Sequence, residues 1–212
     1  QWSSSAASDV YKRQGLDHDM GKLSVGRQSH PFADNIGGKT SIFNVYGGSS
    51  DWNYASRSSN SMKFSTTQSG ITLDSIGIVD GSSTNTNAFD EFEVTLSTKL
   101  FGSDVSVGYA DDVNSDISYW GVAGSTDLGP LTMSSSYTIY DAASDKYGLE
   151  LTASYSIFSV GYGDKEGTGV SYTAGASHNL NDSLSVYAEG EMKDLDSGSD
   201  TTSWSIGSKL TF

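Results

Sequence analysis

Residues 201–212 read TTSWSIGSKLTF, and the alternation inside that stretch decides the fold. Trp204, Ile206, Ser208, Leu210 and Phe212 fall on one parity, while Ser203, Ser205, Gly207, Lys209 and Thr211 fall on the other. A strand turns successive side chains to opposite faces, so this strand has an apolar face and a polar one. A soluble sheet alternates too. What tilts the balance is an aromatic at each end of the apolar face, Trp204 and Phe212, about as far apart as a tilted strand needs to cross a membrane.

Working back along the chain, the same pattern recurs. Leu184, Val186, Ala188, Gly190 and Met192 oppose Ser185, Tyr187, Glu189, Glu191 and Lys193. Phe92, Val94, Leu96 and Leu100 oppose Glu91, Glu93, Thr95, Ser97 and Lys99. Residues 71–79 and 116–125 leave their parity open. In all, about twelve strands fit between residues 16 and 212, the first over residues 16–28. The breaks between them alternate in length. Residues 29–56, 80–88, 111–115, 141–145, 164–168 and 194–200 form a longer set; residues 67–69, 100–103, 126–129, 180–182 and the region of Ser156 form a shorter one. Long connections at one end and tight ones at the other describe an all-β, transmembrane, antiparallel up-and-down barrel with long external loops.

Composition agrees. No apolar run approaches the length of a membrane helix and the mean hydropathy is −0.36, which leaves open a barrel whose spans are short and half polar. The chain has Gly 24, Tyr 12 and Pro 2, a mixture suited to twisted strands and tight turns. Cys 0 removes disulfides and thiolate metal sites. A net charge of −14 argues against nucleic acid, which requires clustered Lys and Arg. His18, His30 and His178 lack ligand spacing, and the acidic stretch at residues 194–200 lacks the full ligand series of a calcium loop, so neither a metal nor a cofactor is expected. Residues 1–14 (QWSSSAASDVYKRQ) neither continue the strand pattern nor show the order of a secretion signal, and are read as a non-native leader, with the barrel occupying residues 15–212.

Residues 21–28 (GKLSVGRQ), the long stretch after them, residues 57–64 (RSSNSMKF) and the terminal WSIGSKLTF resemble Gram-negative general-diffusion porins of the trimeric, sixteen-stranded kind. The likeness runs in consistent order over residues 15–212. It implies that residues 29–56 are the loop that folds into the lumen and narrows it. In such porins, twelve strands run from the one before that loop to the last, so the count implies four further strands ahead of residue 15; a natural twelve-stranded channel is the alternative. The resemblance also implies that Ser205, Gly207, Leu210 and Phe212 form the signal read by the barrel-assembly machinery. It places the protein in the bacterial outer membrane, among lipid and lipopolysaccharide, as a homotrimer passing small hydrophilic solutes.

In that family basic wall residues face acids on the infolded loop. Arg57 and Lys63 share the polar parity of their strand and are wall candidates. Arg27 matches the family's GRQ arginine but shares parity with Leu23 and Val25; either a bulge near Gly26 redirects it or the match fails. Asp34 and Asp51 are the loop acids, although the family's usual Pro-Glu-Phe-Gly-Gly motif is absent and residues 30–34 (HPFAD) are only a loose counterpart. The acidic excess predicts cation preference.

No GxSxG, HExxH or phosphate-binding loop is present, so no enzyme is expected. The remaining alternative is a soluble β-sandwich binding a carbohydrate or another ligand. The two readings differ in direction. In a barrel the apolar parity faces outward and the Glu and Lys parity inward; in a sandwich these reverse.

Overall fold

The computed structural model describes residues 13–48, 56–79, 89–112, 116–141 and 145–211. Strands β1 (Arg13–His18), β2 (Gly21–Ser29), β3 (Arg57–Gln68), β4 (Ile71–Ile78), β5 (Glu91–Leu100), β6 (Ser103–Asp112) and β7 (Ile117–Leu128) form the first half. Strands β8 (Leu131–Asp141), β9 (Lys146–Tyr155), β10 (Phe158–Lys165), β11 (Gly169–Asn179), β12 (Leu184–Leu195) and β13 (Thr201–Leu210) follow. All pair antiparallel with their sequence neighbours in one 13-stranded sheet of order β1 to β13, with β1 and β13 at its two edges. The sheet is therefore an open up-and-down meander.

The direction of the faces separates barrel from sandwich. Trp204 is 76% exposed and Leu210 54%, whereas Glu93 is 2% exposed and Glu189 6%. The apolar parity thus faces away from the packed side, as a lipid-facing wall requires and a soluble sandwich forbids. On that outer face Tyr109 and Trp120 lie 4.5 Å apart, Tyr137 and Tyr147 stack at 6.3 Å, and Tyr162 meets Tyr172 edge-on at 5.6 Å. They make a belt of amphipathic rings toward the long-loop end, the arrangement favoured at a membrane–water interface.

The count differs from expectation at one place. Residues 16–28 are not one strand but parts of a hairpin, with Asp19 and Met20 as the turn between β1 and β2. From β2, the strand before the long loop, to β13 there are twelve strands, as expected. β1 begins at Arg13, inside the stretch set aside as a leader; the rest of that stretch lies outside the described residues. Tight turns supply the short breaks. Ser69 and Gly70 (φ 51 and 79), and Phe101 and Gly102 (φ 52 and 85), both have the paired positive φ of a hairpin turn matched to strand twist. The length rhythm weakens only around β11, where the outer break is residues 166–168 and the inner one residues 180–183.

The long loop is less irregular than expected. Pro31, at its first helical position, opens α1 (Pro31–Asn35), and a 3-10 turn follows at Gly37–Lys39. Phe32 and Ile36 project from these turns into a buried cluster with Ala110, Tyr119 and Ala123 of the wall.

Candidate pore constriction

The loop crosses the inner face of the sheet, and wall carboxylates hold it by its polar atoms. At its base, Glu93 Oε1 accepts from His30 Nδ1 at 2.6 Å, and Glu93 Oε2 accepts from the Phe32 backbone N–H at 3.0 Å. Asn35 Nδ2 donates to Thr95 Oγ1 at 2.8 Å and to Asp74 at 3.2 Å. Further along, the Thr40 hydroxyl donates to Glu150 at 2.7 Å. Toward the tip, Glu189 Oε1 accepts from Asn44 N at 2.7 Å and from its side-chain amide at 2.9 Å, while Oε2 accepts from Val45 N at 2.8 Å and Tyr46 N at 3.4 Å. Gly47 N reaches Glu191 at 3.3 Å. Hydrogen bonds to an ionised acceptor are roughly twice as strong as neutral ones, so buried carboxylates suit this task.

Between these anchors the wall leaves room for the loop's apolar side chains. A Cβ on Gly121 would lie 2.8 Å from both Phe32 and Ile36, and one on Gly108 would lie 3.0 Å from Phe32. A Cβ on Gly161 would lie 2.9 Å from Phe43, whose ring also approaches Gly175. Gly108 pairs with Gly121 across β6 and β7, so two missing side chains make one seat. The seats place the loop and the carboxylates lock it.

On the side turned toward the first strands, Lys63 Nζ lies 3.6 Å from Asp34 Oδ2 and donates to the Ser29 carbonyl at 3.2 Å. Asp34 also accepts from the Ser29 hydroxyl at 2.5 Å. Lys63 is largely covered and Asp34 about half exposed. A wall cation thus faces a loop acid in the interior of the sheet.

The sequence pattern of Gram-negative porins matches residues 5–198. This chain belongs to that family. The porin also resembles solved structures at identities that speak for the fold alone. OmpF of Salmonella typhi, in complex with daunomycin, is 14% identical with a TM-score of 0.76, over 94% of this chain and 77% of that one. A loop L8 deletion mutant of OmpT from Vibrio cholerae is 16% identical with a TM-score of 0.73, over 92% and 77%. An in-vitro folded OmpT of Vibrio cholerae in its trimer form is 16% identical with a TM-score of 0.68, over 92% and 78%. No curated protein matches the sequence. The porin is an outer-membrane diffusion channel.

Of the residues singled out from the porin's sequence, Lys63 and Asp34 come together. Arg57 does not join them. β3 carries an extra residue opposite Arg27, where the β2–β3 register slips between Gly26 and Gln28, and Asn60 there takes φ 54. That bulge reverses the alternation, so Ser58 rather than Arg57 turns inward, 2.8 Å from His30 Nε2, and Arg57 is exposed. The bulge lies on the neighbouring strand and does not redirect Arg27. Ser24 and Gln28 bond to each other on the inner side, which leaves Arg27 exposed with Leu23 and Val25. Ser205 and Gly207 face inward from β13 and Leu210 outward; Gly207 leaves space for the ring of Tyr187, whose hydroxyl would be 2.5 Å from a Cβ there. Asp51 and Phe212 lie outside the described residues.

The anchoring glutamates were missed because their strand pattern reads the same whether a carboxylate meets water or a loop. The one available signal is their company. Glu93, Glu150 and Glu189 sit on strands whose inner faces also carry or adjoin glycine, serine and threonine, small enough for a second layer.

Proposed function

We propose that the porin conducts small hydrophilic solutes and ions past an aperture bounded by the infolded loop, with the Lys63–Asp34 ion pair on its rim. The observation that carries this reading is the 3.6 Å approach of Lys63 to Asp34 on a loop pinned across the inner wall. Charges lining the narrowest section set which ions enter, and Lys63 offsets the charge that Asp34 would otherwise present to them. The net charge of −14 supports cation preference. The working form is a homotrimer among lipid and lipopolysaccharide, delivered by the barrel-assembly machinery through a signal made of Ser205, Gly207, Leu210 and Phe212. The OmpT trimer form supports the first part and the terminal aromatic pattern the second.

Reversal potentials in a salt gradient across a planar bilayer test the charge assignment. Lys63→Ala should raise the cation-to-anion permeability ratio about twofold or more, because removing the cation leaves Asp34 unopposed. Lys209→Ala, at the far end of β13, should leave it unchanged. Equal shifts in both variants would remove Lys63 from the aperture, and anion preference in the unaltered protein would overturn the cation assignment.

A further inference from the structure

Asp74 stands on the inner wall where the cover given by the loop ends. Along the inner face of β4, Ile78 and Ile76 are buried, and Asp74, the next inward residue, is part-exposed. Two contacts fix its place. It lies directly across from Thr95 on β5, and the side-chain amide of Asn35, the last residue of α1, donates to Asp74 at 3.2 Å and to Thr95 at 2.8 Å. Consecutive loop residues therefore reach two wall groups: Asp34 meets Lys63, and Asn35 meets Asp74.

The two acids are compensated differently. Asp34 has the Lys63 ammonium at 3.6 Å. That ammonium also donates to the carbonyl of Ser29, at the long-loop end of β2, which draws it away from Asp74. Lys63 pairs across the strands with Ile76, and Asp74 is one inward residue closer to the short turns. Asp74 is held by a neutral amide, and among the described residues no basic group pairs with it. The loop-holding carboxylates of Glu93, Glu150 and Glu189 are buried, so they are withdrawn from the water that reaches Asp74. A carboxylate fixed by a neutral donor presents its charge to ions passing in that water.

We propose that Asp74 is a specificity-determining residue of the channel, the fixed charge on β4 that draws small cations such as K+ to the aperture and repels small anions. Lys63 and Asp34 offset each other, and Asp74 supplies the charge left over. Asn35 is a positioning residue that holds the carboxylate at the rim. The assignment rests on conduction past the infolded loop and names the wall residue that carries its cation preference.

The test is the K+ to Cl− permeability ratio, from reversal potentials of the full chain in a planar bilayer, at two salt concentrations. Asp74→Asn removes the charge and keeps an oxygen that can accept from Asn35. At about 0.1 M salt, where charges are screened over about 10 Å, the ratio should fall about threefold. At about 1 M, where screening acts over about 3 Å, the fall should nearly vanish. Asp74→Glu, which keeps the charge, should hold the ratio close to that of the unaltered protein. A fall of equal size at both salt concentrations, or an equal fall in Asp74→Glu, marks a change in the shape of the aperture and overturns the charge assignment. An unchanged ratio in Asp74→Asn overturns it as well. Lys63→Ala keeps the two readings apart. A shift there without one in Asp74→Asn removes Asp74 alone, whereas no shift in either variant removes the rim itself.

Discussion

At Gly121 one methyl group decides whether the loop can seat. The side chains that would meet it, Phe32 and Ile36, are already buried, and Gly108 on the paired strand is nearly as close to Phe32. Overpacking of a filled site costs about 1–3 kcal/mol. Gly121→Val should therefore unseat the base of the loop, seen as altered single-channel conductance and as protease cleavage within residues 36–48. Glu189 acts at the other end. Glu189→Ala removes the acceptor for the backbone donors of Asn44, Val45 and Tyr46, and a hydrogen bond to a charged group contributes about 1.5–3 kcal/mol. Noisier current and cleavage near residue 45 are expected, and Glu189→Gln should be milder because an acceptor oxygen remains. Ser58, His30 and Glu93 line up hydroxyl, imidazole and carboxylate at 2.8 and 2.6 Å, the order of a hydrolytic relay. Here His30 is wholly buried and the second oxygen of Glu93 holds the Phe32 N–H, so the row works as a peg for the loop.

Among the elements, β3 shows where reading by parity stops. Lys63 was legible as inward because it alternates cleanly with Met62 and Phe64. Arg57 was not, since an extra residue at the bulge is invisible to a count by twos. Asn60 bears the strain with φ 54, a conformation costly for a β-branched residue. Asn60→Val should lower resistance to urea by about 1–2 kcal/mol and loosen Ser58 from His30, while Asn60→Gly should be nearly neutral. β4 and β7 were ambiguous for a related reason. Their inner faces carry Ile76 and Ile78, or Tyr119 and Ala123, buried apolar residues on a side expected to be wet. The loop supplies the cover, so a strand can be apolar on both faces inside a water-filled barrel. Where no loop lies on it, the wall reads as alternation predicts.

For the whole molecule, two surfaces with opposite solvents follow from one period of two, which is why the architecture was readable from the alternation that recurs along the chain together with the lengths of the breaks. Leu151 is exposed on the outer face and Ser134, one strand away in β8, takes the inner parity. Arginine at position 151 should cost about 2–4 kcal/mol in a lipid-refolding titration, the expense of a charge near the bilayer midplane. Arginine at position 134 should leave stability nearly unchanged and appear as a change in current. What the sequence could not show is the path of the loop, because its anchors are scattered over the wall. Their spacing along the chain has a consequence for assembly. The clasp at Glu93 joins residues 61 apart, that at Glu150 joins residues 110 apart, and that at Glu189 joins residues 145 apart. Each is a long-range closure, so the strap can fasten at a given point only where the distant wall strand that holds it is already in place. Its tip is buckled only where β12 stands, so a fastened tip is a witness that the far side of the wall exists.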